Sequence, residues 1–137
     1  MWILYALLSA LFTALTSILA KIGLENIHSN LATAIRTTVI LVLSWGIVFL
    51  TGKQYDMANA GYKNWLFLIL SGIATGVSWL CYYKALQIGE ASKVIPLDKF
   101  SVVIGMLLAF LVLKETMSLK SLLGGAFITI GMFVLIL

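Results

Sequence analysis

The chain has 137 residues, of which 62% are hydrophobic and 10% charged, with a mean hydropathy of +1.10. A soluble domain carries about 25% charged residues, so this composition excludes a water-soluble globular fold, and the length allows one domain. The net charge of +4 comes from nine Lys and Arg set singly at connectors and helix ends, without the basic run that a nucleic-acid surface needs.

Five apolar runs fill the sequence: Trp2–Lys21, Leu31–Leu50, Asn64–Leu86, Val94–Leu113 and Ser121–Leu137. A helix that crosses a bilayer needs about 20 apolar residues. Lipid cannot hydrogen-bond the backbone, so each run has to be a helix or a strand of a closed barrel. Barrel strands alternate polar and apolar residues, whereas residues 102–108 are apolar without interruption. The expected fold is therefore an all-α integral membrane protein with five transmembrane helices in a single domain, and membrane lipid is its first partner. Five is odd, which puts the two ends on opposite faces. Lys53, Lys63, Lys114 and Lys120 then lie on the N-terminal side, and Lys21, Arg36, Lys84, Lys93 and Lys99 on the other. Four against five gives no positive-inside bias. Met1-Trp2-Ile3 lacks a charged n-region, and the first run is of spanning length, so no cleavable signal peptide is expected. Nor is a regulatory tail, since the sequence is still apolar at Leu137.

In the first run, Ser9, Thr13, Thr16 and Ser17 share one helical face ahead of Lys21. Such a stripe faces protein or water. It either packs against another helix with its hydroxyls bonded to their own i−4 carbonyls, or it walls a solute pathway. The second run starts after Ser29 or Asn30, each a reasonable N-cap, and carries Arg36 about a turn and a half inside. There Arg36 either snorkels to the headgroups or lines a cavity and meets an anionic group. His28, in the first connector, is expected to be a solvated interfacial residue.

The third run contains Gly72 and Gly76, a small-xxx-small spacing that lets backbones approach. Trp79, Tyr82, Tyr83 and Lys84 follow, either as an interfacial aromatic belt or as a surface for a solute. Cys81, the one cysteine, has no intramolecular disulfide partner. At the start of the fourth run lie Glu90, Ser92, Lys93, Pro96, Asp98 and Lys99, the densest polar cluster of the chain. If the helix begins at Pro96, a favoured first-turn residue, then Asp98 meets the positive end of the helix dipole. If it begins at Ser92, Asp98 and Lys99 lie deeper, where ionisable groups usually serve function. Gly105 in this run, and Gly124 and Gly131 in the last, offer further close-packing surfaces.

Several chemistries are not encoded. No histidine or carboxylate pair forms a nucleophile–base set, no metal-ligand spacing occurs, and no phosphate-binding Gly-rich loop is present. Neither enzymatic activity nor a metal or other cofactor is expected.

Residues from Tyr82 onward carry a resemblance. Tyr83-Lys84-Ala85-Leu86, the segment Ala91-Ser92-Lys93-Val94-Ile95-Pro96-Leu97-Asp98-Lys99-Phe100-Ser101-Val102-Val103, Leu113-Lys114-Glu115, and the glycine-bearing stretch from Leu122-Leu123-Gly124 to Gly131 resemble the EamA domain of the drug/metabolite transporter superfamily. The resemblance is strong over half of the chain, and the five-helix layout extends it over the rest. It implies one half-transporter repeat, because most relatives join two such halves in opposite orientations, with solute bound between them. It further implies a small-molecule exporter of a bacterial or archaeal cytoplasmic membrane, working as a homodimer that is either antiparallel or parallel. On this reading Ser9, Thr13, Thr16, Arg36, Trp79, Tyr83, Lys84, Asp98 and Lys99 belong to the substrate pathway, and Asp98 is the candidate proton acceptor. A non-transporting membrane subunit and a lipid-linked-sugar flippase subunit are the alternatives.

Overall fold

The computed structural model describes residues 1–137. Its helices are α1 (Trp2–Gly23), α2 (Ser29–Thr51), a 3-10 segment (Lys53–Asn59), α3 (Tyr62–Ile88), α4 (Ala91–Asp98), α5 (Phe100–Leu113) and α6 (Leu119–Ile136). Taken together, α4 and α5 form one span, Ala91–Leu113, and five helices are then long and apolar enough to cross a membrane. The chain is an all-α integral membrane protein, as its composition requires. Apolar side chains such as Leu43, Phe67 and Phe127 stand exposed along the spans. In lipid that exposure has no hydrophobic cost, because acyl chains are as apolar as leucine.

Two details differ from the sequence reading. The N-cap of α2 is His28, whose Nδ1 accepts from the Asn30 backbone N–H at 3.3 Å; Ser29 is already the first helical residue. The second connector, on which the sequence was silent, folds as the 3-10 segment, entered through Gly52 in the left-handed region (φ 68°). The fourth span starts earlier than Val94 and is broken. Glu90 caps α4, with Lys93 at 3.7 Å from its carboxylate, and Asp98 closes α4 instead of opening a helix. The break follows Pro96, which has no N–H to give to the carbonyl four residues back. The Lys99 N–H bonds Pro96 O at 3.0 Å, a 3-10-type tightening, before α5 resumes at Phe100.

The chain divides into two compact units, one of residues Leu19–Gln87 and the other of Met1–Ile18 with Ile88–Leu137. In the first, Leu24, Ser29, Thr33, Tyr83 and Leu86 are buried near one end of α2 and α3. Polar bonds tie that end together. Lys21 Nζ donates to the carbonyl of Leu86 at 2.6 Å, and Gln87 Nε2 to that of Ile27 at 2.8 Å. A helix leaves its last carbonyls without intrahelical partners, and Lys21 satisfies one of these on α3.

In the second unit α6 packs against both α4 and α5. The close contact is at Gly125, where a Cβ would lie 3.6 Å from Met106 Cε, and Met132 is buried a further two turns along α6. The glycines expected to form packing faces behave otherwise. At Gly72, Gly76, Gly105, Gly124 and Gly131 nothing lies within 4 Å of an added Cβ. Within the chain, then, these positions make no close helix contact, and helical phase has put Gly125 rather than Gly124 against α5.

Candidate functional site

The α2 and α3 backbones do not pack closely. Between them lies a cavity of about 740 Å³, walled by Thr37, Leu41, Ser44, Trp45 and Val48 of α2 and by Leu68, Gly72, Thr75, Gly76 and Trp79 of α3. Both sets recur at the three- and four-residue steps that mark one helical face. The cavity exists because α3 offers glycine and small hydroxyl residues where α2 offers larger ones, so the facing side chains do not fill the gap. From Thr37 to Val48 it runs about 16 Å at 1.5 Å per residue. Its volume is in the range of small-molecule sites, roughly 300–1,000 Å³. Lys53, Gln54 and Asp56 of the 3-10 segment close one end, with Lys53 and Asp56 4.0 Å apart. Gln54 Oε1 is buried there with no hydrogen-bond partner.

Trp79 walls the other end, and behind it, next to the cavity residue Thr37, lies a cation held by aromatic rings. The Arg36 guanidinium carbon lies 4.5 Å from the centre of the Trp79 ring and 5.2 Å from that of Tyr83. Arg36 Nη1 donates to the Tyr83 hydroxyl, and Tyr83 is only 1% exposed. Arg36 therefore reaches across to α3 rather than snorkelling out along α2. No carboxylate lies within pairing distance of it, whereas Lys53, Lys93 and Lys99 each have one. An arginine at membrane depth costs about 2.5–3.5 kcal/mol on insertion scales. Each ring offsets roughly 0.5–2 kcal/mol, and a hydrogen bond to a charged group about 1.5–3 kcal/mol. These terms are of the same size, so the aromatic pair holds the cation without neutralising it.

The hydroxyls beside the cavity are partly spoken for. Thr37 Oγ1 donates to Thr33 O at 2.7 Å, and Thr75 Oγ1 to Ser71 O at 2.9 Å, the back-bonding expected of hydroxyls inside helices. Both retain acceptor capacity toward the cavity but have spent their protons.

Of the residues assigned to a pathway, Arg36, Trp79 and Tyr83 come together. Lys84 is exposed on α3 and turns to Gln87 Oε1 at 3.5 Å. Ser9, Thr13 and Thr16 belong to α1 of the other unit, where Ser17 is the buried member of the stripe and donates to Thr13 O at 2.9 Å. Asp98 and Lys99, also in that unit, pair with each other at 3.5 Å at the α4–α5 break. Sequence reasoning missed Ser44, Trp45 and Gln54. Ser44 and Trp45 lie two turns on from Thr37 on the same helical face, which was the available signal, but nothing in α2 alone marks which face meets α3; Gln54, in the 3-10 segment beyond Gly52, had no such signal.

Five apolar spans, with a cavity between two of them, define a polytopic integral membrane protein. The chain belongs to the EamA-like transporter family, whose profile matches residues 1–137, and it is a membrane transporter. It is 47% identical over 134 residues to an uncharacterised transporter encoded in the cobO 3' region of a Sinorhizobium species, covering 98% of this chain and 95% of that one. An uncharacterised protein of Methanocaldococcus jannaschii is 30% identical over 133 residues, covering 97% and 94%. With an uncharacterised transporter of Synechocystis the identity is 27% over 135 residues, 93% of this chain but 37% of that longer protein. No solved structure gives a significant match.

Proposed function

We propose that this chain exports a small metabolite or drug-like solute across the cytoplasmic membrane by alternating access, as a homodimer in which the two copies run antiparallel. The α2–α3 cavity is its solute chamber. The observation that carries this reading is the chamber itself, a space of about 740 Å³ with hydroxyl and aromatic walls inside an otherwise lipid-facing chain. Pairing two copies supplies the second half that a 37% share of the Synechocystis transporter suggests, and an odd number of spans suits an inverted pair. Asp98, beside the break in the fourth span, is the proton acceptor that couples transport to a gradient.

A water-filled chamber can be told from a lipid-filled groove by thiol labelling in a Cys81→Ser background. Ser44→Cys and Thr75→Cys, on the cavity wall, should react with a membrane-impermeant maleimide. Val42→Cys and Ile69→Cys, exposed on the outer faces of the same helices, should not. Equal inertness of all four would remove the chamber reading.

A further inference from the structure

The chamber combines a largely apolar wall with one unneutralised cation, and that pairing selects a kind of solute. We infer that the Arg36 end of the α2–α3 cavity is an anion subsite, and that the solute is an organic anion with an apolar body. This rests on the reading of the cavity as the solute chamber and adds the chemistry of what enters it.

Four observations converge. First, Arg36 has no carboxylate partner although three lysines of the chain do. A guanidinium cannot shed its proton to escape the cost of burial, so its charge stays available to a ligand. Second, a guanidinium has five N–H donors in a planar fork. One goes to the Tyr83 hydroxyl, which leaves enough for the two-pronged grip that arginine gives carboxylates and phosphates. Third, Trp79 is both a wall of the cavity and the ring on which the guanidinium lies. The cation is therefore fixed at the cavity's margin before any solute arrives, and little ordering is left to binding. Fourth, Thr37 and Thr75 have given their protons to α-helical carbonyls and offer nothing to an anion. Lys53 at the far end is already paired with Asp56, so the cationic donor left without a carboxylate lies at the Arg36 end, while Trp45, Leu41 and Leu68 form an apolar bed beyond it. A cationic solute would meet Arg36 as a like charge with no carboxylate beside it.

The test uses the full-length protein purified in detergent and a set of ligands that share one apolar body: phenylacetate, phenyl phosphate, phenylacetamide and phenethylammonium. Binding is read by calorimetry and by protection of Thr75→Cys from the maleimide. Phenylacetate or phenyl phosphate should bind, and whichever binds better identifies the anionic head. The neutral and cationic analogues should bind at least about tenfold more weakly, which is the loss of one charge-assisted hydrogen-bonding contact. Arg36→Gln should abolish the preference for the anions. Arg36→Lys, which keeps the charge but not the fork, should retain part of it and guards against misfolding of the glutamine variant. Gly72→Phe, which leaves Arg36 in place and fills the chamber, should reduce binding of every member. Equal binding of the amide and the anions, an anion preference that survives Arg36→Gln, or no binding of either anion would each overturn the inference. If Ser44→Cys and Thr75→Cys still react with the maleimide in those cases, the chamber stands and only its anion selectivity falls.

Discussion

A single hydrogen bond decides whether the guanidinium of Arg36 stays where the cavity can use it. The two rings attract the cation without direction, and the Tyr83 hydroxyl supplies the direction. Tyr83→Phe keeps the ring and its packing but leaves a half-buried Arg36 N–H without its acceptor. That change should lower stability by about 1.5–3 kcal/mol, the value of a hydrogen bond to a charged group, measured as unfolding in mixed micelles at increasing denaturing detergent. Tyr55→Phe, at an exposed position in the second connector, should fall within about 0.5 kcal/mol of the parent. Equal effects would mean that Arg36 does not depend on the phenol. The sequence made Arg36, Trp79 and Tyr83 visible as unusual residues of their own helices. It could not show that they meet, because a contact between positions 36 and 83 is a property of how α2 faces α3, and neither helix encodes that phase alone. The same limit explains why Gly124 drew attention when Gly125 is the residue against Met106: spacing names a face only to within one residue.

At the scale of elements, hydropathy located all five spans, since lipid demands a long apolar run whatever the sequence detail. What it could not register were the backbone events between them. Apolar composition runs from Val94 through Leu113 apart from Asp98, Lys99 and Ser101, so the α4–α5 break is announced only by Pro96. Two helix ends make the backbone argument measurable. Both Gly52 (φ 68°) and Lys114 (φ 55°) sit in the left-handed region, where a side chain costs roughly 1–2 kcal/mol. Gly52→Ala should therefore destabilise by about 1 kcal/mol, and Lys114→Gly should stabilise by a similar or smaller amount, read from the same micelle unfolding. Opposite signs at the two ends are the expected signature; a shared sign would show that neither cap limits stability. The break also sets what Asp98 can do. Its carboxylate lies 3.5 Å from Lys99 at the turn that joins α4 to α5, which is the position the proposed coupling uses. Asp98→Asn should flatten the pH dependence of solute flux in proteoliposomes. A variant that transports with the parent's pH profile would take the coupling role from Asp98.

For the molecule as a unit, the proposed antiparallel pair requires a chain with an odd number of spans to insert in both directions. The lysine and arginine count that sets orientation was already near balance. Arg36, held against two rings of α3, lies inside a span rather than in a connector and is set aside from it. Removing it leaves Lys53, Lys63, Lys114 and Lys120 on one side and Lys21, Lys84, Lys93 and Lys99 on the other, four against four. Without a charge excess the positive-inside effect has nothing to act on, and the chain should insert in both directions. In the proposed pair, the face at Gly124 and Gly131, with nothing near it inside the chain, would receive the second copy. Single cysteines in the first and second connectors, Glu25→Cys and Asn59→Cys in the Cys81→Ser background, report the outcome when impermeant maleimide is applied to intact cells and to inverted vesicles. Comparable labelling of each site from both sides is expected, and adding two lysines to the second connector should drive the population to one orientation and depress activity. Labelling of each site from one side only would exclude an antiparallel pair made from this chain alone. The proposed pairing would then require a different, oppositely inserted protein, or a parallel copy.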